Sequence, residues 1–213
     1  MLPLPLEGLL LMRKLWKSNI VAATCALVPL ATVMLSTLDK GSVAASPLRH
    51  LTTEQSRSLK TLGIRIAVPS YVPRGFTVSS VKTEPCPAKS QRTATGVCRF
   101  GPTYQILYRN PQRTCFEISA VGGGLGGADP EFVFPVQSQL LGKTTIGFGN
   151  LPGDGKPPSA KQLTQPQPQI WSWPAGESPY YQIRTLEHRE GCGKNLSLTP
   201  LEVKRMFQSF TWL

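Results

Sequence analysis

Histidine is almost absent from this sequence: only His50 and His188 occur in 213 residues. A serine hydrolase needs a histidine base and a nucleophile turn such as G-x-S-x-G, and that motif is also absent. His50 precedes the first predicted strand, and His188 lies in the loop-like run LEHREGCG. We therefore expect no catalytic residues and no enzyme. An envelope hydrolase is the second alternative, which requires a cleft that brings one histidine to a serine or a carboxylate.

Metal-binding motifs are missing as well. No two cysteines have the C-x-x-C spacing of zinc sites. Asp129 and Asp154 lie in glycine-rich stretches, but the D-x-D-x-D-G spacing of calcium loops does not occur. The ten acidic residues that follow Ser46 form no suggestive cluster. The sequence thus predicts neither a metal site nor a bound cofactor.

Charge is sparse, basic and scattered. Charged residues make up 16% of the chain, and from Ser46 onward 19 Lys and Arg stand against 10 Asp and Glu, a net charge of +9. Nucleic-acid-binding proteins usually cluster basic residues on one helix or face beside stacking aromatics, and no such run occurs here. We expect no nucleic-acid partner. The charge forms either a solvated basic surface or a surface that attracts anionic envelope polymer or lipid.

Gly122, Gly124 and Gly127 spell G-x-G-x-x-G after the strand-like run FEISAV. A dinucleotide loop needs a helix directly after these glycines and an acidic residue about twenty positions further on. Here the chain continues into ADPEFVFP, which predicts another strand, and residues 142–152 contain no Asp or Glu. The glycines therefore predict a connection between strands, in which glycine supplies positive φ, and not a cofactor site.

The N-terminal segment has the features of export. Three basic residues precede an uncharged stretch at 20–38, and small residues at 43–45 suit a signal peptidase. As a helix, the uncharged stretch reaches about 28 Å, close to the hydrocarbon thickness of about 30 Å. Residues 1–45 are therefore either a signal peptide or a single membrane anchor, with translation starting at Met1 or Met12. In both cases the remainder is predicted to be extracytoplasmic, in the periplasm or cell envelope.

Cysteine usage agrees with export. Cys25 lies too deep in the uncharged stretch to be a lipoprotein cysteine. An even number of further cysteines in an exported chain favours disulfides, and four cysteines permit three pairings. We prefer Cys86 with Cys98, across the polar segment PAKSQRTATGV, and Cys115 with Cys192. The second pair would tie a central strand to the loop before the last helix.

Two capping boxes delimit the predicted helices. Residues 46–63 are expected to be a linker with a short helix that begins at Thr52-Thr53-Glu54-Gln55. Residues 64–213 are expected to form one extracytoplasmic domain. Its C-terminal helix begins at Thr199-Pro200-Leu201-Glu202, and four apolar residues repeat at helical spacing along it: Val203, Met206, Phe207 and Phe210.

Short strand-like runs fill the rest of this domain. Twenty prolines and nineteen glycines favour many turns over long helices. The runs predict an α+β fold: an antiparallel sheet of about six or seven strands, with both helices packed on one side. The strand-like runs are FTVSSVKTE, TYQILYR, CFEISAV, EFVFPV, GKTTIGFGNL, IWSWP and PYYQIRTLE.

Residues 150–169 are rich in Pro, Gln and Gly and predict a surface loop. In the strand-like run that follows, Trp171 and Trp173 stand two residues apart and therefore share one face. Two tryptophans beside a proline-rich loop are a candidate platform for sugar or peptide. More often, such a pair closes the edge of a core.

Several runs together resemble a bacterial pattern: VPSYVPRGFTVSSV, TYQILYR, CFEISAV, WSWPAGESPYYQI and SFTWL. They are similar to uncharacterised exported proteins of cyanobacteria. More distantly, they resemble the extracytoplasmic domain of unknown function attached to some sigma-factor regulators. The resemblance covers residues 64–213 and rests on structural motifs, above all the P-x-Y-x-P-x-G-F turn. It implies an antiparallel sheet with helices on one side, and it transfers no catalytic residue.

These observations favour an exported or membrane-anchored, non-enzymatic domain that acts by binding in the cell envelope. The first alternative is a lipid or acyl-chain carrier or sensor with a curved sheet. That alternative predicts an interior cavity lined by apolar side chains, and a filled core would argue against it.

Overall fold

The computed structural model describes residues 50–99, 101–122, 128–186, 191–193 and 198–213. The predicted signal peptide or anchor at 1–45, the glycines at 124 and 127, and His188 lie outside the described residues. Within the described residues, no helix is both long enough and apolar enough to cross a membrane.

The described residues form three helices and nine strands. The helices are α1 (Thr53–Lys60), α2 (Ala160–Thr164) and α3 (Pro200–Gln208). The strands are β1 (Ala67–Pro69), β2 (Thr77–Glu84), β3 (Thr103–Arg109), β4 (Cys115–Val121), β5 (Phe132–Ser138), β6 (Gly142–Phe148), β7 (Ile170–Ser172), β8 (Tyr180–Leu186) and β9 (Phe210–Trp212).

Seven strands form one antiparallel sheet in the order β2-β3-β4-β8-β7-β6-β5. Strands β1 and β9 pair with each other in a separate two-stranded sheet. The predicted α+β class and the predicted number of strands are confirmed. The non-consecutive neighbours β4 and β8 place the last long strand in the middle of the sheet.

One face of the large sheet forms the core. Ile106, Ile118 and Ile183 are cross-strand neighbours on β3, β4 and β8, and each is 0% exposed. Helix α3 contacts β5, β6 and β7, and its Met206 joins the same apolar cluster. Helix α1 adds Leu59 to this cluster. Both helices thus pack on one side of the sheet, as the sequence predicts.

The predicted capping boxes start α1 and α3. In α1, Gln55 N–H donates to Thr52 Oγ1 at 3.1 Å, and Thr52 N–H donates to Gln55 Oε1 at 2.8 Å. In α3, Thr199 N–H donates to Glu202 Oε2 at 2.8 Å, and Glu202 N–H donates to Thr199 Oγ1 at 3.2 Å. Each box satisfies two backbone donors that the first turn leaves unpaired.

The terminal helix is shorter than the periodicity predicts. It ends at Gln208, and Phe210, which we expected on its apolar face, lies on β9. The Ser209 hydroxyl donates to the Met206 carbonyl at 2.8 Å and accepts from Tyr71 N–H at 3.1 Å. This long-range contact turns the chain out of the helix and into pairing with β1. A phenylalanine at position 210 would be buried both at the end of a longer helix and on a strand. Its apolar character therefore did not distinguish the helix from the strand.

The predicted loop at 150–169 is more ordered than expected. It contains the short helix α2, which Ser159 and Gln162 cap. Part of it also covers the edge strand β5: Val133 N–H donates to the Lys156 carbonyl and Lys156 N–H donates to the Glu131 carbonyl, both at 2.9 Å. These bonds satisfy backbone groups at an edge that would otherwise be free to pair with another chain.

Both expected disulfides are formed, Cys86 with Cys98 and Cys115 with Cys192. The first closes the connection between β2 and β3. The second attaches β4 to the segment before α3 and, with Leu107, belongs to a small apolar cluster on the sheet face away from α3. Two such pairs are consistent with an oxidising, extracytoplasmic compartment.

Candidate functional site: an open cleft with excess positive charge

Loops from three strand pairs meet at one end of the large sheet. In an antiparallel sheet with this strand order, the β2–β3, β5–β6 and β7–β8 connections all lie at the same end. Together with the segment before β1 and with Trp212 of β9, they surround an open cleft of about 940 Å³. We call it the end cleft. Its charged lining residues are Arg65, Lys143 and Glu177.

Arg65 is held in place by its neighbours. Its guanidinium lies 5.3 Å from the centre of the Trp212 ring, a distance that allows a cation–π interaction. The Trp212 ring in turn meets Tyr181 edge to face, with 5.7 Å between ring centres. The Tyr181 hydroxyl donates to the Arg65 carbonyl at 2.8 Å. Burial raises the pKa of Tyr181 to about 12, while the positive charge of Arg65 opposes this rise.

Hydrogen bonds and close packing connect the walls of the end cleft. Thr95, on the loop closed by the first disulfide, donates from its hydroxyl to the Ser178 carbonyl at 3.1 Å. On the same loop, a Cβ on Gly96 would lie 2.5 Å from the Gly63 carbonyl oxygen, and Gly96 has a φ of +82°. Only glycine permits both this conformation and this approach. The first disulfide thus shapes one wall of the cleft.

A second, smaller pocket of about 330 Å³ adjoins the end cleft and shares Ser178 with it. Arg92 and Arg99 line this pocket. The Nη1 atom of Arg92 lies 3.8 Å from the position that a Cβ on Gly63, a lining residue of the end cleft, would occupy. Four basic side chains and one carboxylate, Glu177, therefore surround the two pockets among their described lining residues.

Most residues that the sequence singled out lie elsewhere. Gly122, the first motif glycine, lines the smaller pocket, where its carbonyl accepts from the Ser178 hydroxyl at 3.2 Å. Trp171 and Trp173 contact each other on the sheet face away from α3, and neither lines the end cleft. Burial lowers the pKa of His50, which makes no hydrogen bond with any described residue.

The acidic residues of the glycine-rich stretches do not come together. Asp154 forms an exposed ion pair with Lys156 at 2.6 Å, and this hydrogen-bonded partner lowers the pKa of the Asp154 carboxyl. The Asp129 carbonyl accepts from Gly153 N–H at 2.7 Å. Within the described part of the chain, no three His, Cys, Asp or Glu side chains are grouped so that they could hold a metal ion.

Sequence reasoning did not identify the residues of the end cleft. Arg65, Lys143 and Trp212 stand in three distant segments without a shared motif. They meet because the strand order brings their segments to one end of the sheet. The only signal in the sequence is the general excess of basic residues.

Comparisons with known proteins identify no relative: no family model, no curated protein and no solved structure matches this chain. The resemblance to exported cyanobacterial proteins stays a prediction.

Proposed function

We propose that this chain is an exported, non-enzymatic binding domain of the cell envelope, and that its end cleft binds an anionic group. The group would be a phosphate of an envelope polymer or of a lipid headgroup. The observation that carries the proposal is the convergence of Arg65 and Lys143 from separate segments on one open cleft, beside a smaller pocket that Arg92 lines. Export is supported by the N-terminal pattern and by the two disulfides.

The basic groups of the end cleft are suited to an anion. Among the described residues, neither Arg65 nor Lys143 forms an ion pair with a carboxylate. A guanidinium donates paired hydrogen bonds to phosphate oxygens, and an ammonium adds a point charge. Because Trp212 already orients Arg65, less side-chain entropy is lost when a ligand binds.

The filled core argues against an acyl-chain carrier. An acyl-chain carrier needs an apolar cavity between sheet and helix, whereas Met206 and Phe207 of α3 fill that layer and are 0% exposed. The end cleft is open and has polar, charged and apolar side chains in its lining, so it is not the enclosed apolar cavity that an acyl chain needs. We therefore place the acyl-chain carrier second.

Two probes test the proposal and separate the two sources of phosphate. Vesicles of phosphatidylcholine, with and without phosphatidylglycerol, test the lipid headgroup by sedimentation. Inorganic polyphosphate tests the polymer by titration calorimetry. Because each basic residue near an anionic surface contributes about 1 kcal/mol, Arg65→Gln with Lys143→Gln should weaken binding about 30-fold. Binding should also fall steeply as salt is added.

A charge-matched control is Arg74→Gln with Lys161→Gln, since both side chains are exposed and neither lines the end cleft. This control should lose only the small contribution of net charge. Binding of vesicles alone assigns the headgroup, and binding of polyphosphate alone assigns the polymer. If neither probe binds at low salt, or if both double variants weaken binding equally, the end cleft is not an anion site.

A further inference from the structure

The sheet face away from α3 carries a pair of partly exposed tryptophans. Trp171 lies opposite Arg184 on β8 and Gly147 on β6, and these three residues form one cross-strand row. Trp173 follows β7 and contacts Trp171, with 6.1 Å between ring centres and a tilt of 31°. We call the two rings the indole pair.

Strand β6 and Pro130 support the indole pair on the side that faces the sheet. A Cβ on Gly147 would lie 2.7 Å from Cζ3 of Trp173 and 2.6 Å from Cγ of Pro130. The absence of a side chain at Gly147 thus lets the ring of Trp173 rest against the backbone of β6. The backbone N–H of Trp173 donates to the Thr145 carbonyl at 2.8 Å. This bond extends the pairing of β7 with β6. A ring fixed in this way loses little entropy when it binds a ligand.

The spacing of the rings shows where a ligand fits. A flat ligand between two rings needs about 7 Å, twice the optimal carbon contact of about 3.5 Å. The ring centres are only 6.1 Å apart. A ligand therefore lies on the outward side of the indole pair and not between the rings.

The polar groups beside the indole pair carry no excess charge. Arg184 Nε and Nη2 approach Glu117 Oε1 at 3.0 and 2.9 Å, and Glu117 is buried. A guanidinium has five N–H donors, so three remain after these two contacts. The Arg184 side chain is 35% exposed. It can therefore donate hydrogen bonds to a ligand while Glu117 compensates its charge.

A pocket of about 360 Å³ lies next to Trp171 and includes Arg184, Gln169 and Leu151 among its lining residues. Among the described residues, Leu151 is the only large hydrophobic side chain that is exposed, at 48%. A stable protein partner covers about 800 Å² on each side, with an apolar centre. This surface consists of two indoles, one leucine and a guanidinium whose charge is compensated. It therefore suits a ligand much smaller than a protein.

We propose that the indole pair and the adjoining pocket bind an uncharged saccharide. The apolar face of one sugar ring would stack on Trp171, and its hydroxyl groups would accept hydrogen bonds from Arg184. An uncharged ligand fits because the Arg184–Glu117 pair has no net charge to attract an anion. This site is separate from the end cleft, and it does not depend on the function proposed for that cleft.

The chain's four tryptophans allow a direct test. In the full-length chain, Trp16→Phe with Trp212→Phe leaves tryptophan fluorescence only from the indole pair. The probes are soluble tetrasaccharides of glucose with α-1,4 links, of glucose with β-1,4 links and of N-acetylglucosamine with β-1,4 links. We expect at least one of them to change the fluorescence saturably, and added salt should not weaken this binding because the ligand is uncharged.

Substitutions in the protein with natural tryptophans provide the comparison, with binding measured by calorimetry. Trp171→Ala should weaken binding of the tetrasaccharide at least about tenfold, because it removes the stacking surface. Trp171→Tyr keeps a ring and should retain most of the affinity, which separates lost stacking from lost folding. Trp212→Ala removes an indole from the end cleft and should leave saccharide binding unchanged.

Three results would overturn the proposal: no response to any of the three tetrasaccharides, equal loss in Trp171→Ala and Trp212→Ala, or saturable binding of a proline-rich peptide by the indole pair in place of sugar. Each of these is distinguishable from failure of the anion site. That failure shows itself with vesicles and polyphosphate and depends on Arg65 and Lys143.

Discussion

Two buried tyrosine hydroxyls fasten the small sheet to the large one. Tyr104 on β3 donates to the Ala67 carbonyl at 2.8 Å and accepts from Ala67 N–H at 3.1 Å. Tyr181 on β8 donates to the carbonyl of Arg65, which lies two residues before Ala67 in the chain. Since β1 pairs with β9 in a separate sheet, these side chains provide polar contacts between the two sheets. Burial raises the pKa of Tyr104 well above its usual value.

Tyr181→Phe should make the protein less sensitive to alkali. Burial raises the pKa of Tyr181 from 10.0 to about 12 in the folded state, so its contribution to stability is complete below pH 10 and is lost as pH rises towards 12. The variant lacks this loss. At about pH 8 it should instead be less stable by about 1 kcal/mol, because the hydrogen bond to Arg65 is missing.

Urea unfolding of both proteins between about pH 8 and about pH 11 checks this prediction. The difference in free energy of unfolding should shrink as pH rises. A difference that stays constant over this range would mean that Tyr181 does not titrate as its burial implies.

Helix α3 shows how local and long-range contacts define opposite ends of one element. Its start depends on Thr199 and Glu202, three residues apart, and was predicted from the sequence. Its end depends on Ser209, whose hydroxyl accepts from the N–H of the distant Tyr71. Helix α2 also begins at a local capping box, Ser159 with Gln162, which lies inside the segment whose composition predicted a loop.

Phe207→Ala should cost about 3 to 5 kcal/mol of stability, because it removes a large buried side chain and leaves a cavity. Phe207 is 0% exposed in the core beneath the sheet, and its ring meets Phe210 edge to face at 5.5 Å. Phe132→Ala, on the partly exposed edge strand β5, is a matched control that should cost clearly less. Equal unfolding midpoints for wild type and Phe207→Ala would refute the placement of α3 on the core.

At the scale of the whole molecule, strand order determines which distant segments become neighbours. β8 lies between β4 and β7, so the β7–β8 turn is placed beside the loop that the first disulfide closes. The end cleft is a consequence of this arrangement. The second disulfide links the centre of the sheet to the segment before α3 and spans a sequence separation of 77 residues, against 12 for the first.

Removing the two disulfides separately should have unequal effects. The loop-closure entropy of the unfolded chain predicts a loss of about 4.5 kcal/mol for Cys115→Ala with Cys192→Ala, and of about 3 kcal/mol for Cys86→Ala with Cys98→Ala. Each double variant replaces two cysteines with alanines. The difference between their losses in free energy of unfolding therefore reports mainly loop length. Urea unfolding without reductant measures it. More than one reactive thiol per chain in the unreduced wild-type protein would contradict the pairing, because only Cys25 stands outside the two disulfides.

The sequence by itself determined the features that depend on neighbouring residues. The capping boxes, the strand-like runs that form β3 and β4 and the short polar loop between Cys86 and Cys98 are all local patterns, and the structure contains each of them. The predicted sheet with helices on one side followed from these patterns, because an amphipathic helix must bury its apolar stripe against a sheet face.

Only the tertiary structure decided the strand order, the exchange of Phe210 from helix to strand, and the meeting of Arg65 with Lys143 and Trp212. The physical reason is that exposed charged side chains contribute little to folding and follow no periodicity, so no pattern in the sequence marks them as neighbours. Their positions depend on backbone pairing between strands that are far apart in the chain.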